Sequence, residues 1–286
     1  MRTLGTVGEA AGFRTTAASP LVLVPTMGAL HDGHAALIDA ARMRAGREGT
    51  VVVSIFVNPS QFAPGEDLAR YPRTLEKDMD VCLRHGADAV FIPSAEEIYP
   101  PGDSTIVEET ELARGLCGAA RPGHFRGVCT VVAKLFNILR PHTAVFGEKD
   151  YQQLAVIRRM TRDLFLPVEI MAHPTVRDSD GLALSSRNRY LDADGRERAR
   201  HFPAALQNAR ALAEQGETSV SKITATARDG ITAGTGSAPE YVELVDAESL
   251  QPLTRLDRSA VLAAAVRIGE TRLIDNLRLN PPDGKV

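Results

Sequence analysis

A chain of 286 residues and 30.8 kDa is long enough for one large or two small domains. Hydrophobic residues make up 44%, enough for a substantial core, and this excludes a disordered chain. With 33 basic and 36 acidic residues the net charge is -3, so nothing global draws the chain to nucleic acid or to acidic lipid.

The first half alternates strand-like and helix-like segments. Residues 21–24 form a short β-branched-rich run ended by Pro25, and residues 34–44 read as a helix with Leu37, Ile38 and Ala41 on one face. Residues 50–57 (TVVVSIFV) are almost wholly apolar, as in a strand covered on both faces. A polar helical stretch over 71–85 and a strand over 88–92 follow. Residues 127–140 give the clearest helix, with Val128, Val131, Val132, Leu135, Phe136 and Leu139 on one stripe. A strand over 143–146 precedes a helix over 151–164 that carries Leu154, Ile157, Met160 and Leu164 in register.

This alternation predicts an α/β fold with a doubly wound parallel sheet, whose ligands bind beyond the carboxyl ends of the strands. A first domain is expected over 1–173. After His173 the texture changes, and a smaller α+β domain is expected over 174–286. It contains helical segments over 196–215 and 219–229 and a Gly/Thr/Ser loop over 232–237. A strand over 241–245 follows, then a hairpin of 260–268 with 271–277. The two-residue link Gly269-Glu270 places glycine where a type II′ turn needs positive φ.

The longest apolar run, residues 260–266, is far too short to span a membrane, and residues 1–20 lack a basic region followed by an apolar stretch. Cys82, Cys117 and Cys129 cannot all pair with one another, and no C-x-x-C spacing occurs. A soluble cytoplasmic protein without a disulfide framework or structural zinc is expected, its cysteines acting as small hydrophobes. Trp is absent and aromatics are 5%, which leaves few stacking platforms for single-stranded nucleic acid.

Four segments carry the chemistry, and each follows a strand or sits at the hinge. Pro25-Thr26-Met27-Gly28-Ala29-Leu30-His31-Asp32-Gly33-His34 joins the first strand to the first helix. Its glycines let the backbone approach a ligand, helix-start amides favour an anion, and the two imidazoles can donate to phosphate oxygens. No G-x-x-x-x-G-K-[ST] string is present, which excludes a P-loop. Asn58-Pro59-Ser60-Gln61-Phe62 offers neutral hydrogen-bonding groups. Gly147-Glu148-Lys149-Asp150-Tyr151-Gln152-Gln153 supplies a cation suited to phosphate and an acceptor for ribose hydroxyls. Leu184-Ser185-Ser186-Arg187-Asn188 adds hydroxyls, amides and a guanidinium.

The strings PTMGALHDGH (25–34), SIFVNPSQF (54–62), YPRT (71–74), RPGHFRGV (121–128), FGEKDYQQL (146–154) and LSSRNRYL (184–191) stand in order through the first two-thirds of the chain. In them the chain resembles the pantoate–β-alanine ligases of the HxGH nucleotidyltransferase group. The HxGH and SSR-type segments are shared with other nucleotidyl transferases, so one of those using the same site is the alternative. VNPSQF, RPGHFRGV and GEKDYQQL are particular to the ligases.

The resemblance implies a Rossmann-like fold and a two-step reaction. ATP and pantoate would give pantoyl adenylate and pyrophosphate, and the amine of β-alanine would then displace AMP to give pantothenate, with ATP carried as its Mg2+ complex. It also implies an ATP site of Met27, Gly28, Ala29, Leu30, His31, Asp32, Gly33, His34, Gly147, Glu148, Lys149, Asp150, Val176, Leu184, Ser185, Ser186 and Arg187. His34 would donate a hydrogen bond or proton during adenylation, His31 would assist at the phosphates, and Lys149 and Arg187 would face them. Gln61 and Gln153 would hold pantoate, with Gln61 also near β-alanine. The family often has Met where this chain has Leu184.

By the same resemblance the partners are pantoate, β-alanine and ATP, the assembly is a homodimer, and the second domain with the 185–187 loop is a lid. Arg121, His124 and Arg126 fit phosphate binding and packing equally. Asp78 is a conceivable partner for magnesium, but Lys77 beside it argues against that, and no metal ligand is assigned.

Overall fold

The computed structural model describes residues 1–282 and divides into two compact units. The first comprises residues 1–110, 121–148 and 153–174, and the second comprises 111–120, 149–152 and the chain from 175 onward. Their elements in chain order begin with β1 (Arg2–Leu4), α1 (Val7–Thr16), β2 (Leu21–Thr26), α2 (Asp32–Ala45) and β3 (Thr50–Ile55). Next come α3 (Leu75–Arg84), β4 (Ala89–Phe91), α4 (Ala95–Ile98), α5 (Leu116–Ala120) and α6 (His124–Leu139). Then follow β5 (Thr143–Gly147), α7 (Tyr151–Asp163) and β6 (Glu169–His173).

In the first unit six parallel strands form one sheet in the order β1-β4-β3-β2-β5-β6. Val51, Val52 and Val53 are fully buried, which is why β3 reads as an unbroken apolar run. Leu37, Ile38 and Ala41 of α2 pack with Val22, Val24, Val51 and Val53 in one cluster. From β2 the chain steps outward through β3 to β4, then returns to lay β5 on the other side of β2. The order therefore reverses between β2 and β5, and the loops that leave these two strands border the crevice where such sheets bind ligands.

Several boundaries differ from the sequence expectation. Strand β2 continues through Pro25 to Thr26, opposite Ser54 and Ile55. Its pairing with β5 stops at Leu23, so an imino acid further on costs no ladder bond on that side. Helix α6 begins three residues early, at His124, and its whole predicted stripe is buried. Leu164 lies beyond the end of α7 and is exposed, unlike Leu154, Ile157 and Met160. Helix α1 was hidden by its glycines, and its signature is the capping box of Thr6 and Glu9.

The second unit contains α8 (Ala193–Ala199), α9 (His201–Glu214), α10 (Val220–Thr235), β7 (Pro239–Asp246), β8 (Ala260–Ile268) and β9 (Thr271–Leu279). The strands form an antiparallel sheet in the order β7-β8-β9, and Phe202, Leu206, Ile223 and Ile231 of the helices share a core with Leu244, Leu262 and Leu273. The expected loop over 232–237 is wrong, because α10 runs on to Thr235. Its glycines are a packing seam rather than a turn: a Cβ on Gly234 would meet His201 Cβ at 2.4 Å and one on Gly230 would meet Ala205 Cβ at 3.0 Å. The β8–β9 turn is as expected, with Gly269 alone at positive φ, 56°.

All three cysteines are free. Burial pushes the Cys82 and Cys129 thiols up to about 12, so both stay protonated and unreactive at neutral pH. Among the described residues no helix is long and apolar enough to cross a membrane.

One close approach in the first unit bears directly on the site. A Cβ on Gly127 would lie 2.4 Å from Ser60 O and 2.6 Å from Gln61 N, so α6 can reach the loop after β3 only through a residue without a side chain. Gly127→Ala is expected to lower stability by about 1–3 kcal/mol through the backbone shift it forces. Urea unfolding measures this, and an unchanged midpoint would refute the constraint.

Candidate active site

The chain must turn into α2 directly after β2, and two unusual residues make the turn. Gly28 has φ 79°, and a Cβ there would lie 3.0 Å from both Asp78 Oδ2 and Ile55 Cγ2. Ala29 follows with φ 52° and no exposed surface, a non-glycine residue in the left-handed region. Asp78 on α3, only 1% exposed, holds this conformation. Its Oδ2 accepts from Ala29 N at 2.9 Å, and its Oδ1 accepts from Leu30 N at 2.8 Å and Thr74 Oγ1 at 3.0 Å. Both carboxylate oxygens therefore serve the loop backbone.

The cap of α2 is His31, and Asp32 is its first helical residue. His31 Nδ1 accepts from Gly33 N at 3.1 Å, and His34 Nδ1 accepts from His31 N at 3.4 Å. A ring nitrogen that accepts carries no proton, so in this arrangement both imidazoles are neutral with the proton on Nε2. Their ring centroids are 4.1 Å apart. Two N–H donors thus stand side by side at the start of α2, where the helix dipole favours an anion although Gly33 N and His34 N already donate to His31.

The loop after β3 forms a second corner. Asn58 is 1% exposed, and its Nδ2 donates to Gln61 Oε1 at 3.0 Å and to Gly127 O at 3.1 Å. Gln61 Nε2 lies 3.1 Å from Met27 Sδ, which joins this corner to the histidine loop. Arg121 and His124, left open between phosphate binding and packing, hold the main chain of Gln61. Arg121 Nε and its terminal nitrogen each reach a Glu66 oxygen at 2.7 Å. The guanidinium only donates, so His124 Nε2 accepts from it at 3.1 Å and His124 Nδ1 donates to Gln61 O at 2.9 Å. Burial raises the Glu66 carboxyl, but the hydrogen bond and charge of Arg121 outweigh this and hold it below its usual value. Arg126 is exposed.

Gly147 ends β5 and Glu148 follows it in the first unit, where half-buried Gln153 lies near the start of α7. Lys149 and Asp150 belong to the second unit, with Lys149 Nζ 3.7 Å from Asp150 Oδ2. Their segment is tied down by Asn276 Nδ2 donating to Lys149 O, by Tyr151 Oη donating to Ala247 O and by Gln152 Nε2 donating to Leu112 O, each at 2.8 Å. In the same unit Leu184 N donates to Val176 O at 3.0 Å, which brings Val176 beside the 184–187 stretch. Ser185 Oγ accepts from Arg187 N at 3.3 Å, and Ser186 is buried. Arg177 grips Asp275 with two bonds of 2.7 and 2.8 Å, which raise its guanidinium further above its usual value.

A family model described as pantoate–β-alanine ligase matches residues 2–278. The chain belongs to the pantoate–β-alanine ligase family. It is 49% identical to the pantothenate synthetase of Geobacter sulfurreducens over 96% of this chain and 98% of that one. With the corresponding protein of Anaeromyxobacter dehalogenans it shares 53% identity over 92% of each. The crystal structure of pantothenate synthetase from Thermus thermophilus superposes with a TM-score of 0.92 at 47% identity, covering 98% of this chain and all of that one. A pantoate–β-alanine ligase from Francisella tularensis, crystallised with β-γ ATP and β-alanine, gives 0.80 at 34% identity over 97% of each.

In this family member the residues that sequence reasoning missed are those that hold the loops. Asp78 drew notice only as a conceivable magnesium partner, and Arg177, Asp275 and Asn276 drew none. Asp275 left a usable signal, since it occupies the inward row of β9 with Thr271 and Leu273, where a buried charge requires a partner. The Glu66–Arg121 pair gives a pH test. A lowered carboxyl value means that the pair contributes fully above the unfolded value, 4.5, and fades as pH falls through the folded one. The parent is therefore expected to exceed Glu66→Gln in stability by about 1 kcal/mol at pH 7, with the gap narrowing progressively as pH falls below 4.5. Urea midpoints across pH measure it, and a gap that does not narrow as pH falls below 4.5 would detach Glu66 from Arg121.

Proposed function

We propose that the chain joins pantoate to β-alanine in an ATP-dependent ligation through pantoyl adenylate, with the HxGH loop as the adenylation site. The observation that carries this reading is the capped pair of imidazoles at the start of α2, beside the sheet's point of strand reversal. In the first step a pantoate carboxylate oxygen attacks the α-phosphorus, the bond to the β,γ-diphosphate breaks, and pyrophosphate leaves with the electron pair. Negative charge accumulates on oxygens that are already anionic, so catalysis requires donors and cations fixed before the reaction.

We assign His34 Nε2–H to the α-phosphate, as hydrogen-bond or proton donor, and His31 Nε2–H to the neighbouring phosphates. Lys149 and Arg187 supply the positive charge that neutral imidazoles do not. The remaining nucleotide contacts are assigned to Met27, Gly28, Ala29, Leu30, Asp32, Gly33, Gly147, Glu148, Asp150, Val176, Leu184, Ser185 and Ser186. Gln61 and Gln153 hold pantoate, and Gln61 also meets β-alanine.

Among the described residues no group of three or more His, Cys, Asp or Glu side chains could hold a metal, and both Asp78 oxygens are already engaged. The described residues alone do not build a magnesium cage. In this reading Mg2+ arrives on the triphosphate, where phosphate oxygens and water are its ordinary ligands. Family resemblance supports a cytoplasmic homodimer.

His34→Ala is expected to slow pantoate-dependent ATP–pyrophosphate exchange by at least about a hundredfold, the usual loss for one preorganised donor. An unchanged exchange rate in a folded variant would remove His34 from the chemistry. In the second step the β-alanine nitrogen forms the amide bond, AMP leaves, and the amine gives up a proton. Only about one part in a thousand of such an amine is neutral at pH 7. With β-alanine subsaturating, the rate should climb as pH approaches about 9, and a flat profile would mean that the amine is deprotonated within the site.

A further inference from the structure

The corner around Gln61 fixes which end of its amide turns away from Asn58, and main-chain atoms whose roles cannot be exchanged take part in the fixing. Ser60 N can only donate, and it lies 3.3 Å from Asn58 Oδ1. Gly127 O can only accept, and it lies 3.1 Å from Asn58 Nδ2. The Asn58 amide therefore has one permitted orientation. Its second Nδ2 proton points at Gln61, 3.0 Å away, and only Oε1 can accept it. The NH2 end of Gln61 is then forced to the other side, toward Met27 Sδ at 3.1 Å.

Behind Asn58 stands a residue that the reaction does not otherwise use. Tyr99 Oη donates to Asn58 Oδ1 at 2.8 Å and lies 2.9 Å from Ser60 Oγ. Lys134 holds the ring, with its Nζ 4.3 Å from the ring centroid and 2.7 Å from Ile98 O. Burial keeps the phenol protonated and so a donor, since it raises the hydroxyl above its usual value despite the bond with Ser60.

We infer that Tyr99 is a positioning residue for the acid substrate: together with Ser60 N and Gly127 O it holds the Asn58 amide, and through it the Gln61 amide with NH2 turned away from Asn58, so that this position demands an acceptor oxygen and rejects a donor. The inference rests on the reading above, in which Gln61 meets pantoate. A locked donor suits a carboxylate or hydroxyl oxygen of the acid, whereas an amide free to turn over would also accept an amine or amide analogue.

The test is steady-state kinetics on Tyr99→Phe, Gln61→Ala, the double variant and Gln61→Glu, with thermal unfolding to confirm that each folds. Tyr99→Phe keeps the ring and its contact with Lys134, and should raise KM for pantoate about tenfold, as for one lost hydrogen bond, with KM for ATP within about twofold of the parent. In the Gln61→Ala background the same change should add nothing, because its effect passes through the amide. Gln61→Glu should raise KM for pantoate at least as far as Gln61→Ala, since it turns an acceptor toward an anion. Additive effects of Tyr99→Phe and Gln61→Ala, equal rises in both KM values, or a near-parental Gln61→Glu would each overturn the inference. If Gln61→Ala itself leaves KM for pantoate unchanged, the assignment of Gln61 to the acid fails, and the inference falls with it.

Discussion

A single buried carboxylate sets the shape of the loop between β2 and α2. Without Asp78 the amides of Ala29 and Leu30 would sit in the interior with no acceptor, and nothing would hold Ala29 at φ 52°. The left-handed turn at 28–29 brings His31 to the cap of α2 rather than leaving it in a loop. The cap fixes both tautomers, and the tautomers decide what the site can offer. A hydrogen-bonding choice on α3 thus reaches the imidazoles through backbone geometry alone.

The groups assigned to the proposed chemistry differ in kind between the two units. The first holds two imidazole N–H groups and the Gln61 amide. The second holds the cations Lys149 and Arg187, with the Lys149 segment anchored by its own sheet. Neutral donors discriminate by geometry and cations by charge, and adenylation of a carboxylic acid by a polyanion calls for both.

Much of this was legible in the sequence because it depends on local pattern. The stripe of α6, the apolar run of β3 and the Gly269 turn each state their structure within a few residues. The chemistry-bearing strings were legible for the same reason, since they follow strands directly. What escaped depends on distant pairing. Gly234 looks like part of a loop until α9 lies against it, and Asp78 looks like a conceivable magnesium partner until Ala29 and Leu30, 49 and 48 positions away, donate to it. Pro25 looked like a strand end because a sequence does not say on which side a ladder bond is needed.

The neighbours Asp275 and Asn276 on β9 hold two segments that come far earlier in the chain, Arg177 by 98 residues and the carbonyl of Lys149 by 127. During translation both segments leave the ribosome long before their anchors do. These two tethers wait until β9 emerges and pairs with β8, so they close together in one late step. A nascent chain halted before β9 lacks both, although Tyr151 and Gln152 already have their acceptors, Ala247 O and Leu112 O.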